Sequence, residues 1–415
     1  MPTVAAREHD KMAAKVRPRT ALNVVSHIDV RYGGICATTP GLCRALAATG
    51  RWNSSTVALA ADEEASPFQG ADGELLRLPP GRVRWMTDMS LKRLLRARIE
   101  AADIVHVHGL WEEHCALACS LARSLGKPYM VSAHGMLESW AVRDKRWKKA
   151  AYAALIERRN LRGAACLRAV TAAEIDGYHS FGLPGATYAV IPQGLDAPPP
   201  ADPGPFMERY PQLTGRPLVL FLSRLHRKKG LDLLCRAWPA VRTQHPDAHL
   251  VIAGPDSEGT QDGLTAMIHE LGVESSVTFT GMLSGALKWS AFAAATLFVL
   301  PSRSENFAVA ISEAMAMSLP LIVTRQCNRP EVAEAGAGWI IEPDVLELSS
   351  ALREALSLDD AGRAGWGRNG RRLAHETCSW QAIGADFAAV YEWILGLGPR
   401  PRCVTGGPGE GGCRP

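Results

Sequence analysis

The sequence contains no apolar run that is long enough to span a bilayer. Its longest nearly apolar stretch, residues 289–301, is too short for a transmembrane helix. The first twenty residues carry five lysine or arginine residues but no apolar core segment, so we expect a basic disordered tail rather than a secretory signal. The paired glycines Gly33 and Gly34 do not form a GxGxxG fingerprint, and the chain has no GxxxxGK[ST] loop. Nicotinamide-dinucleotide and P-loop nucleotide chemistry therefore lack support.

Closely spaced cysteine pairs are absent as well. The ten cysteines are spread over 415 residues, and no two of them have CxxC spacing. Cys115 and Cys119 have no second cysteine pair with which to complete an ordinary zinc site. We therefore expect reduced thiols in a cytoplasmic protein, and no metal site.

Short apolar or β-branched runs alternate with helix-length segments through both halves of the chain, which is typical of βαβ units and parallel sheets. Strands are predicted at 21–26, 56–59, 104–108, 129–132, 166–171 and 188–191, and again at 218–223, 249–253, 277–280, 297–300 and 321–324. A proline-rich stretch at 197–205 separates the two sets, because it can continue neither a helix nor a central strand.

The pattern predicts an α/β protein with two doubly wound domains, which would face each other across a cleft. The predicted divisions are a disordered tail at 1–20, a first domain at 21–196, a linker at 197–216, a second domain at 217–379, a C-terminal helix at 380–396 and a disordered tail at 397–415.

A polar loop follows the fourth strand of the second domain and leads into a predicted helix. Glu305 precedes that helix and Glu313 lies within it. The unpaired donors of the first turn would be the amides of Phe307, Ala308 and Val309, and such donors suit a phosphate. Over eight helical residues the carboxylates would lie about 12 Å apart, farther than the about 5–9.5 Å of glycosidase pairs. Separate binding roles are one interpretation, and a capping Glu305 with a solvated Glu313 is the other.

A basic loop, Ser-Arg-Leu-His-Arg-Lys-Lys-Gly at 223–230, follows the first strand of the second domain. Arg224 can hold phosphate oxygens through two parallel hydrogen bonds, and Lys229 can supply a point charge. Since ligands bind at the carboxyl ends of strands in such sheets, the loop predicts an anion site. An exposed basic turn is the alternative.

Two strand ends in the first domain carry residues that suit a ligand. Gly33 and Gly34 follow the first predicted strand, and such a glycine turn permits close approach of the backbone. His134 follows the strand at 129–132, at the edge of the predicted cleft. A purely structural histidine is the alternative for His134, whereas we interpret His106 and His108 mainly as structural residues.

Taken in order, these motifs resemble retaining glycosyltransferases of family four, which have the two-domain GT-B fold. The resemblance covers roughly residues 23–395. It is carried by the two glutamates with seven residues between them, the basic loop, the histidine strand end and the glycine turn. Ile-Pro-Gln-Gly-Leu-Asp at 191–196 and Val-Ile-Ala-Gly-Pro at 251–255 are also similar to that family's sequences.

The resemblance implies roles for single residues. Glu313 would bind the ribose, Glu305 the donor sugar, and His134 would lie against the transferred sugar. Arg224 and Lys229 would neutralise the diphosphate leaving group, so that neither a metal nor a cofactor is needed. The implied catalytic residues are His134, Glu305, Arg224 and Lys229. The implied donor-binding residues, for a UDP- or GDP-sugar, are Gly33, Gly34, Arg224, Lys229, Glu305, Asn306, Phe307, Ala308, Val309 and Glu313.

The sequence also departs from the family. Members often have glycines inside the glutamate motif, where this chain has Asn306 and Ala308. Ala308 would narrow the space beside the phosphate. Ser223 replaces a glycine that is common before the arginine of the basic loop.

The acceptor is expected from the resemblance to be a glycan or a polyprenyl-diphosphate-linked glycan, in bacterial exopolysaccharide or lipopolysaccharide biosynthesis. Basic, tryptophan-bearing segments at 82–98 and 143–162 suit an anionic membrane, which would place the protein on the inner face of the plasma membrane. A solvated basic face is the alternative, and no nucleic-acid-binding module accompanies the charge. Two other functions stay open: a nucleotide-sugar epimerase of the same fold, and a non-catalytic sugar-nucleotide-binding protein.

Overall fold

The computed structural model describes residues 17–27, 34–59, 74–78, 89–137, 152, 156–256 and 258–407. The chain divides into two compact units. The first unit comprises Met1–Arg168, His179–Ala189 and Gly384–Pro415, and the second comprises Ala169–Tyr178 and Val190–Ile383.

The described strands, in chain order, are β1 (Arg19–His27), β2 (Trp52–Leu59), β3 (Glu74–Leu78), β4 (Ile104–His108), β5 (Tyr129–Ser132), β6 (Cys166–Ala169), β7 (Thr187–Val190), β8 (Leu218–Leu222), β9 (His249–Ala253), β10 (Val277–Gly281), β11 (Leu297–Leu300), β12 (Leu321–Thr324), β13 (Gly338–Ile341) and β14 (Val404–Gly406). All eleven predicted strands are present, within a few residues at each end.

The described helices are α1 (Gly34–Ala48), α2 (Met89–Ala101), α3 (Glu113–Ser124), α4 (Arg158–Arg162), α5 (Glu174–Ser180), α6 (Gly204–Arg209), α7 (Leu231–Gln244), α8 (Thr260–Glu270), α9 (Gly285–Ala294), α10 (Val309–Ala316), α11 (Glu331–Glu334), α12 (Val345–Ser357), α13 (Asp360–Cys378) and α14 (Trp380–Ile394). The C-terminal helix predicted at 380–396 is α14.

Each unit contains one sheet. The order in the first unit is β14-β7-β6-β5-β4-β1-β2-β3, and the order in the second is β10-β9-β8-β11-β12-β13. In each sheet the order reverses beside the first strand, between β1 and β4 and between β8 and β11, as in doubly wound nucleotide-binding folds. The prediction of two Rossmann-like domains is therefore confirmed.

The core of the second unit explains why its strands are almost continuously apolar. β8, with the sequence Leu-Val-Leu-Phe-Leu, and the neighbouring strands β9 and β11 are buried. Phe221, Trp238, Phe292 and Phe298 are among its fully buried side chains. Parallel strands covered on both faces need such runs, and their apolar burial fixes the sheet from which the site loops project.

Several boundaries differ from the prediction. Helix α1 begins at Gly34, six residues before the expected Pro40, so Gly34 belongs to a helix rather than to a turn, while Gly33 lies outside the described residues. β1 begins at Arg19, inside the predicted N-terminal tail. β3, β13 and β14 were not predicted, and all three lie at sheet edges.

The predicted linker and C-terminal tail also contain regular structure. Helix α6 lies within 197–216, and its Phe206 is fully buried in the core of the second unit. The prediction of disorder at 397–415 is wrong for Val404–Gly406, because β14 pairs antiparallel with β7. A short strand can form there because its backbone hydrogen bonds are made to an existing sheet edge.

Phe206→Ala will therefore destabilise the second unit although the residue lies in a proline-rich segment. We expect a loss of about 3–5 kcal/mol in the free energy of unfolding, because a buried aromatic ring is removed. Urea unfolding, with amide exchange in β8 as the local measurement, checks it. Glu208→Ala, on the exposed side of the same helix, is the control and should change stability by about 0.5 kcal/mol or less. Equal effects of the two substitutions would contradict the packing described.

Candidate active site

The basic loop, residues 223–230, lies beside the polar loop at 301–308 that carries Glu305, which we call the glutamate loop. Both loops belong to the second unit. The basic loop follows β8 and the glutamate loop follows β11, and these strands pair in parallel where the strand order reverses. The crevice at the carboxyl ends of such strands is where open α/β sheets bind ligands. The structure thus brings the two predicted motifs together.

The two loops are joined through their backbones. The Lys228 carbonyl accepts hydrogen bonds from the Arg303 amide at 2.7 Å and from Ser302 Oγ at 2.9 Å. Gly230 has φ +70°, and a Cβ there would lie 2.0 Å from the Pro301 carbonyl oxygen. Only glycine allows this close approach, so Gly230 is required for the basic loop to pack against the glutamate loop.

Lys229 and Glu305 form an ion pair between the loops. Lys229 Nζ lies 2.5 Å from Glu305 Oε1, and both side chains are largely buried. Asn328 Nδ2 donates to the Glu305 carbonyl at 2.7 Å, which fixes the backbone behind the carboxylate. Glu305 does not cap the helix, because Ala308 occupies the N-cap position. The capping interpretation of Glu305 is therefore wrong.

Helix α10 begins at Val309, so that only Val309 of the three predicted first-turn residues lies within the helix. Glu305 is thus outside the helix, and the distance of about 12 Å expected from eight helical residues does not apply. No side chain caps α10, whereas Asp344 caps α12 by accepting from two backbone amides. The Ile311 amide of the first turn donates to the Ala308 carbonyl at 3.0 Å, and the first-turn amides of Val309 and Ala310 are the donors suited to an anion at an uncapped helix start.

Ala308 adopts an ordinary backbone conformation, with φ −84° and ψ 99°. Any residue adopts it, so replacing a family glycine at this position strains nothing. The remaining effect of Ala308 is the volume of its methyl group, and that side chain is buried.

Glu313 is paired with a lysine that the sequence did not single out. Lys288 Nζ lies 2.7 Å from Glu313 Oε1, and it also lies 4.3 Å from the centre of the Trp289 ring. Glu313 is buried, so the solvated alternative is wrong. Lys288 is on α9, 25 residues away in sequence, and no local pattern connects the two residues.

The other cations of the two loops differ in freedom. Arg224 is exposed directly after β8. Arg303 is held by Asp232, whose two oxygens lie 2.6 and 2.7 Å from its guanidinium. Hydrogen bonds from Arg303 lower the pKa of Asp232. Arg303 is thus committed to the scaffold, whereas the exposed Arg224 is suited to a phosphate.

In the first unit, three histidines form a row behind the end of β5. The rings of His106 and His108 on β4 have centres 3.9 Å apart and are tilted by 33°, and His108 Nδ1 lies 3.4 Å from His134 Nε2. His134 has φ +51°, a left-handed conformation that is uncommon outside glycine. Burial is the first cause that lowers the pKa of all three, to about 3 for His108, with the charge of Arg168 adding to it. The row is therefore neutral near pH 7.

Asn23 fixes which nitrogens of this row carry protons. Its Oδ1 lies 3.1 Å from His108 Nε2, while its Nδ2 donates to Cys43 Sγ. Because an amide oxygen only accepts, His108 Nε2 must be protonated and its Nδ1 must accept from His134 Nε2. His134 Nδ1 is then left with a lone pair. His108 is thus more than structural packing, since it orients His134.

The described parts of the two basic segments are packed into the first unit. Leu91, Leu95 and Ile99, the apolar face of α2, are buried, so this face is not available to a membrane. Glu157 is also buried; burial raises its pKa to about 6, and it accepts from the Trp111 amide at 2.9 Å. Residues 82–88 and most of 143–155 lie outside the described residues.

The described residues contain neither a membrane-spanning helix nor a metal-binding cluster. None of the helices there is both long and apolar enough to cross a bilayer. No group of three or more His, Cys, Asp and Glu side chains that could hold a metal ion occurs in the same residues.

The architecture is that of known GT-B proteins. HepE of Anabaena, solved in complex with UDP and glucose, superposes with a TM-score of 0.71 at 18% identity, over 90% of this chain and all of that chain. With both doubly wound sheets, this defines the protein as one of the GT-B fold.

Sequence comparison identifies the family. The model of "Glycosyl transferases group 1" matches residues 206–373, and that of the "Glycosyl transferase 4-like domain" matches residues 33–194. The glycogen synthase of Mycobacterium tuberculosis is 30% identical over 342 residues, which are 81% of this chain and 79% of that protein. The chain belongs to the group 1 glycosyltransferases.

Other relatives match over a shorter part. A protein of Mycolicibacterium smegmatis, the GDP-mannose-dependent alpha-(1-6)-phosphatidylinositol monomannoside mannosyltransferase, is 32% identical over 224 residues. These are 51% of this chain, and the match spans 57% of that relative's length.

Nitrogen NMR of histidine-labelled protein tests the proton arrangement. We expect His108 and His134 to be neutral, with the proton on Nε2, from about pH 8 to about pH 5.5, because burial lowers both pKa values. Asn23→Leu should remove the tautomer preference of both rings. Ser132→Ala is the control, since the Ser132 hydroxyl hydrogen-bonds a ring nitrogen of His106, at 2.7 Å, rather than His108 or His134. A proton on Nδ1 of His134 in the unaltered protein would refute the arrangement.

Proposed function

We propose that this protein transfers a sugar, with retention, from a nucleotide-diphosphate sugar to a hydroxyl of a glycan or lipid-linked glycan. One observation carries the proposal: two carboxylates, each held by its own lysine, lie on either side of an uncapped helix start at the carboxyl edge of the sheet. This set offers one grip for a ribose, one for a sugar and a group of donors for the diphosphate between them.

Glu313 is the proposed ribose ligand. A carboxylate can accept from two neighbouring hydroxyls, and Lys288 contacts only its Oε1 at 2.7 Å. Lys288 also balances the negative charge that α10 would otherwise bury. The ribose grip is therefore held in position before the donor arrives.

Lys229 is proposed to contact both the Glu305 carboxylate, which binds the sugar, and the diphosphate of the donor. Its ammonium has three N–H donors, of which one is directed at Glu305. The others can contact phosphate oxygens, together with Arg224 and the backbone donors at the start of α10. These cations and dipoles stabilise the charge that develops on the leaving diphosphate, and we propose that no metal ion is required.

We assign the contact with the transferred sugar to His134, as the family resemblance implies. Its neutral Nδ1 suits a hydroxyl donor of the sugar, because the lone pair is already fixed by His108 and Asn23. Glu305 is assigned to other hydroxyls of the same sugar. No second carboxylate beside Glu305 is required as a nucleophile in this scheme.

The reaction is proposed to occur on one face of the donor sugar. The bond from the anomeric carbon to the diphosphate oxygen breaks, and the acceptor oxygen forms a bond to the same carbon on the same face. The proton of the acceptor hydroxyl passes to the departing phosphate oxygen. Retention then follows without a covalent intermediate, and the protein contributes positioning and charge stabilisation.

The donor is proposed to be a UDP- or GDP-sugar. The relatives support both, since HepE was solved with UDP and the M. smegmatis relative is named for GDP-mannose. An acceptor in bacterial exopolysaccharide or lipopolysaccharide biosynthesis, and a cytoplasmic location on the inner face of the plasma membrane, are proposed from the resemblance and from the basic segments at 82–98 and 143–162. Attraction would come from charge, because the described apolar face of α2 is buried.

Two rival functions are separated by one screen. Purified protein is incubated with UDP-, GDP- and ADP-sugars, with and without a membrane lipid extract. Label that enters lipid or glycan supports transfer, and conversion of a UDP-sugar without an acceptor indicates an epimerase. Donor binding with neither reaction indicates a non-catalytic binding protein.

Glu305→Gln tests the sugar grip. We expect kcat to fall by about 10²–10³-fold, because a charged contact made in the transition state is lost. Binding of free UDP or GDP should be retained or become tighter, since the nucleotide does not contact Glu305 and the positive charge of Lys229 is then no longer paired with a carboxylate. Glu334→Gln, an exposed glutamate of α11, is the matched control. Unchanged transfer in Glu305→Gln would refute the assignment.

Lys288→Met tests the ribose grip through a residue that only the structure reveals. Removing the cation leaves Glu313 as a buried, uncompensated charge. We expect the Kd of free UDP or GDP to rise about 10–100-fold, as for loss of roughly 1.4–2.8 kcal/mol. Calorimetric titration with the free nucleotide measures it. Glu313→Gln should have a similar effect, whereas an effect confined to the intact nucleotide-sugar would argue against a ribose contact.

A further inference from the structure

The segment that follows β12, residues 325–329, runs beside the glutamate loop. The Glu305 amide donates to the Gln326 carbonyl at 3.0 Å, and Asn328 Nδ2 donates to the Glu305 carbonyl at 2.7 Å. The backbone of Glu305 is therefore fixed on both sides by this segment, in addition to the ion pair that its side chain makes with Lys229. The segment is thus part of the framework behind the sugar grip.

Arg329 ends this segment and lies between the glutamate loop and α10. Its side chain is 2% exposed. The guanidinium lies over the Phe307 ring, 4.9 Å from the ring centre, and Nη1 donates to Ser312 Oγ at 3.0 Å. Phe307 is in the loop, two residues after Glu305, whereas Ser312 is in α10, directly before Glu313. One buried side chain therefore contacts a neighbour of each of the two carboxylates.

The other nitrogens of this guanidinium have partners as well. Nε donates to Glu331 Oε1 at 2.5 Å, and Nη2 donates to Cys378 Sγ at 3.8 Å. Glu331 supplies the opposite charge that a buried arginine requires. A guanidinium combines a flat face, which stacks on an aromatic ring, with donors fixed in its plane, and an ammonium offers neither. The contacts of Arg329 therefore depend on the shape of the guanidinium and not on its charge alone.

Helix α10 is anchored mainly by its own apolar side chains. Ile311 and Met315 are fully buried in the core of the second unit. Asn306 and Phe307 of the loop are partly exposed, and segments with less buried apolar surface open more easily. Loss of Arg329 is therefore expected to displace the loop rather than the helix.

We propose that Arg329 is a positioning residue for sugar transfer, which sets the glutamate loop against the start of α10 and thereby fixes where Glu305 lies relative to Glu313. The inference rests on the proposed function, because the two carboxylates need a fixed separation only if they hold the sugar and the ribose of one donor. Arg329 acts through Phe307 and Ser312 and does not contact the reacting atoms.

Arg329→Ala tests the positioning role, with UDP-glucose and GDP-mannose as donors and a membrane lipid extract as the source of acceptor. We expect the rate of transfer at saturating donor to fall about 10²-fold, because a misplacement of about 1 Å costs that much. The Kd of free UDP or GDP should change about threefold or less, since α10 stays in place. Arg325→Ala is the matched control, because this exposed arginine of the same segment pairs with Glu342, and its rate should be unchanged.

Added guanidinium should restore the lost rate. Arg329 and Phe307 line a cavity of about 560 Å³, so Arg329→Ala opens the space of the missing side chain onto that cavity, and a guanidinium ion can enter it. The ion is added as its chloride, below the concentrations that unfold the variant. Urea, which has a similar shape but no charge, and sodium chloride should not restore transfer. Glu305→Gln should not recover either, because it lacks the sugar grip itself.

Two milder variants separate the contacts of Arg329 and keep its ion pair with Glu331. Phe307→Leu removes the ring on the loop side, and Ser312→Ala removes the hydrogen bond on the helix side. Each should lower the rate of transfer about 3–10-fold, and neither should lower it further when Arg329→Ala is already present, because residues in contact are not additive. These variants also test the proposal if Arg329→Ala does not fold.

The outcomes distinguish this proposal from the proposed function. Hydrogen exchange of the amides at 305–308 is measured on the same samples, and it should be faster in Arg329→Ala and slow again with guanidinium. If it behaves so, but the unaltered protein neither binds nor transfers a UDP- or GDP-sugar, the proposed function is wrong. If the unaltered protein transfers sugar, three results each overturn the positioning role: an unchanged rate in Arg329→Ala, a lost rate that guanidinium does not restore, or a Kd for free nucleotide that rises as much as the rate falls.

Discussion

The close docking of the basic loop onto the glutamate loop is the constraint on which the site depends. Gly230 passes so near the Pro301 carbonyl that no side chain fits, and this approach places Lys229 Nζ 2.5 Å from Glu305. Neither charge is stable alone in such a position, because a buried charge without its partner costs about 3–5 kcal/mol. The pair therefore holds each side chain in place without a ligand. A site organised in this way does not have to reorganise when charge develops on a leaving group.

The groups that the family resemblance assigns to the donor are charged in the second unit and neutral in the first. In the second unit, lysines and carboxylates are paired at the sheet edge, and each pair still has donors or acceptors to offer. In the first unit, burial and the charge of Arg168 keep His106, His108 and His134 neutral. A diphosphate needs positive charge, whereas a sugar hydroxyl needs a directed lone pair. Asn23 fixes the tautomer of His108 and, through it, that of His134, so that the lone pair of His134 Nδ1 has a set direction and the ring carries no charge.

Much of this arrangement could be predicted from the sequence, because the apolar runs locate the strands and the site residues follow the strand ends. Apolar runs predict the eleven strands, and the carboxyl ends of parallel strands share one edge of a sheet, which places the loops of Lys229 and Glu305 at the same edge. Lys288 could not be found this way, because its contact with Glu313 depends on how α9 packs and not on spacing along the chain. The same holds for β14, a three-residue strand that forms only because β7 offers an edge. Phe206 is a core residue that the sequence did not reveal, because its proline-rich surroundings predicted a linker.

The backbone angles show what it costs to have Ala308 in place of a family glycine. Ala308 has φ −84°, so a side chain there costs no strain, and its effect reduces to one methyl group beside the helix start. Asn328, which is not one of the departures from the family, adopts a left-handed conformation, with φ +55°, which asparagine tolerates better than most residues. Its amide then holds the Glu305 carbonyl at 2.7 Å while the residue lines the neighbouring cavity. A glycine at that position would permit the same backbone but would lose the hydrogen bond. Asn328, rather than Ala308, is thus where the identity of the side chain affects the sugar grip.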